Sequence, residues 1–144
     1  MTACVLDASV AAKWYLPPDG EKYVEQAERL GRMFAAGGLD MVAPDILWPE
    51  LGNVLWKAVK LRRMPVESAR DAIGALAQLT VTSVPSRPLL RHAFEIGAEF
   101  HCAIYDAIYV SLAASLNIPL VTADEPLVKA LGSRFPVRWL GALA

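Results

Sequence analysis

The sequence has few cysteines, few histidines and almost no net charge, and each shortage argues against a class of protein. Its two cysteines, Cys4 and Cys102, form no CxxC pair and have no histidine pair at zinc spacing, so we expect two reduced thiols packed in the protein. The formal net charge of −1 argues against a generally basic nucleic-acid binder. Any site for a polyanion must therefore be a local patch.

Long hydrophobic runs are also missing. The longest uncharged stretch near the C-terminus, residues 107–123, is shorter than about 18 residues and is interrupted at Asn117-Ile118-Pro119. The N-terminus has no basic leader, and Asp7 interrupts its apolar stretch, so we expect neither a secretory signal nor a membrane span. With 55% hydrophobic and 20% charged residues, the chain is predicted to form one soluble, cytoplasmic domain spanning residues 1–144.

Strand and helix patterns alternate along the whole chain. Short apolar or β-branched runs predict strands at residues 4–7, 41–43, 80–84, 120–122 and 137–140. Apolar residues at helical spacing predict helices at residues 8–16, 21–36, 47–62, 65–78, 87–100, 104–116 and 126–131. Such alternation favours an α/β fold in which helices cover both faces of a mainly parallel sheet of four to five strands.

A proline constrains the third of these helices. Proline is tolerated only in the first turn of a helix, where its missing N–H is not needed, so Pro49 requires the helix to begin near residue 47 or 48. Glu50 then lies in the first turns, and Asn53 lies on the same face at i+3.

Four acidic residues stand where strands are predicted to end or helices to begin: Asp7, Glu50, Asp106 and Asp124. Carboxylates are seldom fully buried unless they are paired or bind a metal. Asp7 and Asp124 follow predicted strands, and open α/β sheets bind their ligands at the carboxyl ends of strands. If the four converge, they form a site for a hard divalent cation, which indicates phosphoryl chemistry.

Each acidic residue also has an ordinary structural explanation. Asp7 or Ser9 could cap a helix, Glu50 could act on a helix dipole, and Asp106 and Asp124 could cap the helices that they open. Their joint occurrence at strand ends and helix starts is harder to explain in this way. Two like charges about 4 Å apart repel by about 4 kcal/mol at an effective dielectric constant of about 20, so a converging set requires a cation.

Several segments, taken in order, resemble the PIN-domain family, and in particular its VapC-like toxin ribonucleases. They are LDAS at residues 6–9, PELGNVL at 49–55, YDAIY with LA at 105–113 and VTAD with Leu127 at 121–127. The YDAxYxxLA and VTAD segments are the most specific, and the resemblance extends over about residues 5–139. It implies a three-layer α/β/α sandwich whose acidic residues bind Mg²⁺, with Mn²⁺ as a substitute, and hydrolyse RNA phosphodiester bonds.

The resemblance also assigns roles by position. It implies that the catalytic and metal-binding residues are Asp7, Glu50, Asp106 and Asp124, with Ser9, Asn53 and Thr122 supporting them. No acidic position is missing, and Asp124 is preferred to its neighbour Glu125 because the Thr-x-Asp spacing is the familial one. The implied partners are the RNA substrate, a small antitoxin of a type II toxin–antitoxin pair and a second copy of this chain.

Basic residues offer candidates for RNA contact. Lys57, Lys60, Arg62 and Arg63 follow Glu50 on the predicted helix, and Lys13 lies on the helix after Asp7. Cations also suit the C-terminal turn of a helix, so a solvated helix end competes with an RNA-binding role. We expect Lys13, Lys57 and Lys60 to be the candidate RNA contacts.

Three other functions compete with the ribonuclease. A phosphatase of the haloacid dehalogenase kind also has an Asp after its first strand, but its DxDx[TV] pattern is not present, since residues 7–10 read DASV. A receiver domain would need an acidic pair before a phosphoacceptor strand. The third alternative is a PIN-like module that binds RNA or a protein without cutting, and only a test of turnover separates it from an enzyme.

Overall fold

Five strands form one sheet in this computed structural model, which describes residues 1–143, so Ala144 lies outside the described residues. The strands are β1 (Ala3–Leu6), β2 (Asp40–Pro44), β3 (Thr82–Val84), β4 (Leu120–Thr122) and β5 (Val137–Trp139). Every neighbouring pair is parallel, and the order across the sheet is β3-β2-β1-β4-β5. The predicted parallel sheet is confirmed.

The helices also follow the prediction, with differences at their ends. They are α1 (Ala8–Ala11), α2 (Val24–Ala35), α3 (Leu47–Lys60), α4 (Val66–Ala77), α5 (Leu90–Phe100), α6 (Ile104–Leu116) and α7 (Glu125–Leu131). Short 3₁₀ turns occupy Ala12–Trp14, Arg87–Leu89 and Leu140–Ala142. The helix predicted at residues 21–36 begins only at Val24, because Tyr23 adopts a left-handed conformation with φ of 60°.

Each face of the sheet carries its own hydrophobic core. Successive residues of a strand point to opposite faces, and on β1 Val5 joins the core that contains α5 and α6, whereas Leu6 joins the core with α1 to α4. On β4 the same alternation sends Leu120 to the first core and Val121 to the second. The two cores on either side of the sheet confirm the three-layer α/β/α sandwich.

The strand order creates a crevice between β1 and β4. From β1 the chain adds β2 and β3 on one side of the sheet and later β4 and β5 on the other, so the order reverses at this pair. Ligands of open α/β sheets bind at such a switch point, beyond the carboxyl ends of the strands. Helix α6 packs against β1, β2 and β4 and is buried from Ala107 to Ala113, so its first turn is held beside the crevice.

Two smaller predictions concern membranes and thiols. No helix within residues 1–143 combines the length and the hydropathy needed to cross a membrane. Cys4 and Cys102 form no disulfide, with Cys4 buried and Cys102 partly buried, so the predicted packing of the two thiols is confirmed and their reduced state stays a prediction.

Candidate active site

Asp7 lies at the base of the crevice, directly after β1. Its side chain is 9% exposed and makes no capping hydrogen bond to α1, so the capping interpretation is wrong for this residue. Instead, Asp7 Oδ2 accepts hydrogen bonds from Ser9 Oγ at 2.5 Å and from Thr122 Oγ1 at 2.7 Å. Burial raises the pKa of Asp7, the two hydroxyl groups oppose that rise, and the charge of Asp124 adds to it.

Ser9 and Thr122 connect the turn after β1 to the end of β4. Ser9 Oγ accepts a hydrogen bond from the backbone N–H of Ala123 at 3.0 Å, and Thr122 Oγ1 accepts one from the N–H of Asp124 at 3.1 Å. Each hydroxyl therefore donates to Asp7 and accepts from the backbone, which fixes both its orientation and that of the carboxylate. The structure places these two predicted supporting residues in the site.

Asp124 occupies the opposite side of the crevice and does cap a helix. Its Oδ1 accepts a hydrogen bond from the N–H of Leu127 at 3.1 Å, at the start of α7. The capping interpretation is confirmed, but this bond uses one carboxylate oxygen, and the charge of Asp124 still raises the pKa of both Asp7 and Asp106. Glu125 is exposed and forms an ion pair with Lys129 at 3.5 Å, which supports the choice of Asp124.

Glu50 is the fourth residue of α3, as the position of Pro49 predicts. Its Oε1 accepts a hydrogen bond at 2.8 Å from the hydroxyl of Tyr109, which is 1% exposed in α6. Burial raises the pKa of Glu50, the Tyr109 hydroxyl lowers it, and the charges of Asp7 and Asp106 raise it further. Sequence reasoning did not include Tyr109 among the site residues, although Tyr109 ends the YDAIY segment and lies three residues after Asp106.

Asp106 is the third residue of α6, where its carboxylate is partly buried. Burial, followed by the charges of Asp7 and Asp124, raises the pKa of Asp106 to about 6. A carboxyl group with this pKa is partly protonated just below neutral pH. The charges of two neighbouring carboxylates thus add to the effect of burial on the pKa of Asp106.

The four carboxylates form what we call the carboxylate cluster: Asp7, Glu50, Asp106 and Asp124. Within residues 1–143 no Lys, Arg or His forms a salt bridge with any of them. In the same described range no three His, Cys, Asp or Glu side chains are grouped closely enough to hold a metal ion by themselves. Mg²⁺ typically takes one or two carboxylates and keeps several waters, so the donors fit a hydrated hard cation better than an ion ligated entirely by protein.

The remaining predicted residues lie around this cluster. Asn53 lines a cavity beside Glu50, and its exposed side chain makes no hydrogen bond to the cluster. Lys57 and Lys60 are exposed toward the end of α3, with Lys60 Nζ 5.7 Å from the centre of the Trp56 ring. Lys13 is instead 8% exposed and pairs with Glu21 at 3.1 Å, so it could reach RNA only by leaving that pair.

Comparisons with known proteins identify the family of this chain. A family model for the PIN domain matches residues 4–130. Ribonuclease VapC9 of Mycobacterium tuberculosis is 32% identical over 133 residues, which cover 92% of this chain and 94% of the relative. The range matched by the family model contains all four residues of the carboxylate cluster.

Solved structures show the same fold. PAE2754 from Pyrobaculum aerophilum superimposes with a TM-score of 0.71 at 20% identity, covering 99% of this chain and 86% of that chain. A toxin–antitoxin complex from Klebsiella pneumoniae gives a TM-score of 0.58 at 17% identity, covering 94% of this chain and 95% of that chain. With its parallel sheet, its carboxylate cluster and the match over residues 4–130, this chain belongs to the PIN domain family.

Proposed function

We propose that the protein is a Mg²⁺-dependent endoribonuclease that hydrolyses RNA phosphodiester bonds. The observation that carries the proposal is a cluster of buried and half-buried carboxylates at the β1–β4 crevice, with no cationic side chain paired to it in the described part of the chain. The name of the relative in Mycobacterium tuberculosis, a ribonuclease, supports RNA as the substrate. Phosphodiester hydrolysis is a reaction for which a divalent cation between carboxylates is suited.

Within the proposed site, Asp7 and Asp106 would be the principal ligands of Mg²⁺ or Mn²⁺, with Glu50 and Asp124 completing its surroundings. When bound, the ion would lower the pKa of a water molecule and screen the charge of the phosphate. Ser9 and Thr122 hold Asp7 in place through their hydroxyl groups.

Proton transfer in the proposed reaction is assigned to a carboxylate. Both histidines of the chain, His92 and His101, are exposed, and neither contacts the cluster. Glu50 is held through Oε1 by Tyr109, which leaves Oε2 to accept a proton from the attacking water. Its pKa, raised by burial, suits that role better than the pKa of an ordinary surface glutamate.

We further propose that the protein is the toxin of a type II toxin–antitoxin pair and acts in the cytoplasm, where its RNA substrates are found. A structural neighbour from Klebsiella pneumoniae is a toxin–antitoxin complex, which supports a protein antitoxin as partner. A second copy of this chain is the other proposed partner, and sedimentation of the purified protein tests it directly.

Cleavage of total transfer and ribosomal RNA tests the enzymatic proposal. Antitoxin-free protein is incubated with Mg²⁺, with Mn²⁺ or with chelator, beside Asp106→Asn and the control Asp71→Asn, which makes the same change at an exposed position of α4. We expect discrete cuts that require the metal, persist in the control and disappear in Asp106→Asn. Cuts that survive Asp106→Asn would contradict the assignment of the site.

Measurements of RNA affinity and of phosphate release, made beside the cleavage assay, separate the rival functions. A binding module without turnover would retain metal-independent RNA affinity and give no cuts. A phosphatase would release inorganic phosphate from a phosphomonoester while leaving internal phosphodiester bonds intact.

A further inference from the structure

A cavity of about 410 Å³, which no sequence pattern predicted, opens beside the carboxylate cluster. It is lined by Ile46, Pro49, Glu50, Asn53 and Tyr105, which come from the start of α3 and the first turn of α6. Its volume lies in the range of about 300–1,000 Å³ that is typical of small-ligand sites. Since Glu50 belongs to both, the cavity is continuous with the candidate active site.

The side chains around the cavity combine an aromatic ring, apolar surface and an amide. Tyr105 is 64% exposed, although it lies directly before Asp106 on α6, a helix that is buried from Ala107 to Ala113. Packing of the core therefore does not account for an aromatic residue at this position. Asn53 adds an exposed side chain that can both donate and accept hydrogen bonds.

The charge of the cavity restricts what it can hold. No Lys, Arg or His lines it among the residues that the structure describes, and Glu50 contributes a carboxylate. A phosphate group would be repelled at this place, because nothing compensates its charge. A neutral planar group with hydrogen-bonding edges meets no such penalty, and it gains from contact with an aromatic face and an amide.

We propose that this cavity, the base pocket, holds one unpaired nucleobase of the RNA, stacked on Tyr105 and hydrogen-bonded to Asn53, next to the phosphodiester that is cut. The inference rests on the proposed ribonuclease function. It makes the preferred substrate single-stranded, because a base in a duplex is already stacked and paired and is not free to enter. Tyr105 then acts in binding, and Asn53 acts in discrimination among bases.

Binding measured in chelator tests the base pocket without any contribution from cleavage. Fluorescence anisotropy is recorded with short labelled oligo(A), oligo(C) and oligo(U) RNAs, for the wild-type chain, Tyr105→Ala and Tyr105→Phe. The control is Phe94→Ala, which removes a ring that is 60% exposed on α5 and does not line the base pocket. Both positions are exposed, and thermal unfolding verifies that the three variants fold.

We expect Tyr105→Ala to weaken binding of at least one oligonucleotide by about 5- to 100-fold. This is the loss in affinity expected when one base no longer stacks on one aromatic side chain. Tyr105→Phe and Phe94→Ala should bind like the wild type. Binding of an abasic ribose-phosphate oligomer of equal length should be the same for Tyr105→Ala and the wild type, because no base is present to stack. Asn53→Ala should reduce the differences in affinity among the three oligonucleotides.

Three results would overturn the inference. Equal losses for Tyr105→Ala on the abasic oligomer and on the RNAs would mean that the backbone, not a base, is bound. If Tyr105→Ala changes the oligomeric state or the antitoxin affinity but not RNA binding, this surface belongs to a protein partner. If the wild type cuts RNA but Tyr105→Ala binds every oligonucleotide normally, only the base pocket fails, whereas a wild type that neither binds nor cuts RNA removes the proposed function as well.

Discussion

The two sides of the carboxylate cluster are held in place to different degrees. On the strand side, Asp7 receives two hydroxyl hydrogen bonds and Asp124 accepts one from the backbone of α7. On the helix side, Glu50 receives a single hydrogen bond from Tyr109, and no side-chain hydrogen bond to Asp106 is present within residues 1–143. Only the strand side is therefore fixed by a network that includes the backbone.

This difference follows from how each side is built. A carboxylate that ends a parallel strand lies next to the turn of the neighbouring strand, so short side chains such as Ser9 and Thr122 reach it. On the helix side, Glu50 has only the bond from Tyr109 and Asp106 has no side-chain hydrogen bond in the described range, so both carboxylates have more rotamer freedom. We infer that the strand side is preorganised and that the helix side adjusts when a cation or substrate binds.

Replacing Thr122 by valine should disrupt the hydrogen-bond network of the strand side, and we expect the largest effect from this change. Thr122 is fully buried, and valine of similar shape would remove both the donor to Asp7 and the acceptor for the N–H of Asp124. We expect Mg²⁺ affinity to fall by about 10- to 100-fold, as for other residues that orient metal ligands. Stability should fall by about 1–3 kcal/mol, since a backbone N–H loses its partner.

Isothermal titration with Mg²⁺ and urea unfolding measure these two quantities. Thr82→Val, at an exposed position of β3, is the matched control and should change neither. A Thr122→Val protein that is less stable yet binds Mg²⁺ normally would show that the hydroxyl supports the fold alone.

Replacing Tyr109 by phenylalanine tests the helix side, where we expect a smaller effect. The change removes the hydrogen bond to Glu50 Oε1 and keeps the buried ring. We expect cleavage to slow by about tenfold, which corresponds to about 1.4 kcal/mol. Because the Tyr109 hydroxyl lowers the pKa of Glu50, its loss should also move the acidic limb of the pH–rate profile to higher pH.

Tyr23→Phe provides the comparison, since its ring packs edge-on against Trp139 at 5.3 Å and lies outside the cluster. A tenfold slower reaction with an unshifted pH profile in Tyr109→Phe would argue for a structural role of the hydroxyl. Rates and profiles equal to those of the control would contradict any role for Tyr109 in positioning Glu50.

The same two sides differ in how far the sequence predicts them. The strand side can be predicted from short segments of sequence. Apolar runs locate the ends of β1 and β4, and parallel pairing brings those ends together. Ser9 and Thr122 were assigned as supporting residues by the resemblance to the PIN-domain family, and the structure shows both hydroxyl groups bonded to Asp7. The sequence left open whether Asp7 and Asp124 cap helices, and only the structure shows that Asp124 does and Asp7 does not.

The helix side depends on contacts between distant parts of the chain. Tyr109 and Glu50 are 59 positions apart, and their hydrogen bond arises only from the packing of α3 and α6 around the crevice. The base pocket has the same origin, because residues of α3 and α6 line it together. Periodicity indicates which face of a helix is buried, but it does not show which side chain of another helix that face meets.

The smallest effect that we predict concerns the stability of the metal-free protein as a function of pH. Asp106 has a pKa of about 6 when folded and about 4 when unfolded, so the folded state binds more protons between these values. The free energy of unfolding must then decrease as the pH rises from about 4 to about 6. We expect a decrease on the order of 1 kcal/mol, because partial exposure of Asp106 allows water to screen its charge.

Asp106→Asn should flatten this decrease, because the amide does not ionise, whereas Asp71→Asn at an exposed site should leave it unchanged. Urea unfolding of both variants in chelator, between pH 4 and pH 7, measures the effect. Saturating Mg²⁺ should reduce the decrease in the free energy of unfolding, since the cation binds the ionised carboxylates and stabilises the folded state more at pH 7 than at pH 5. If the free energy of unfolding of Asp106→Asn still decreases as much as that of the wild type, Asp106 is not the group responsible. The decrease then comes from the strand side, from Asp7, whose pKa is also raised by burial.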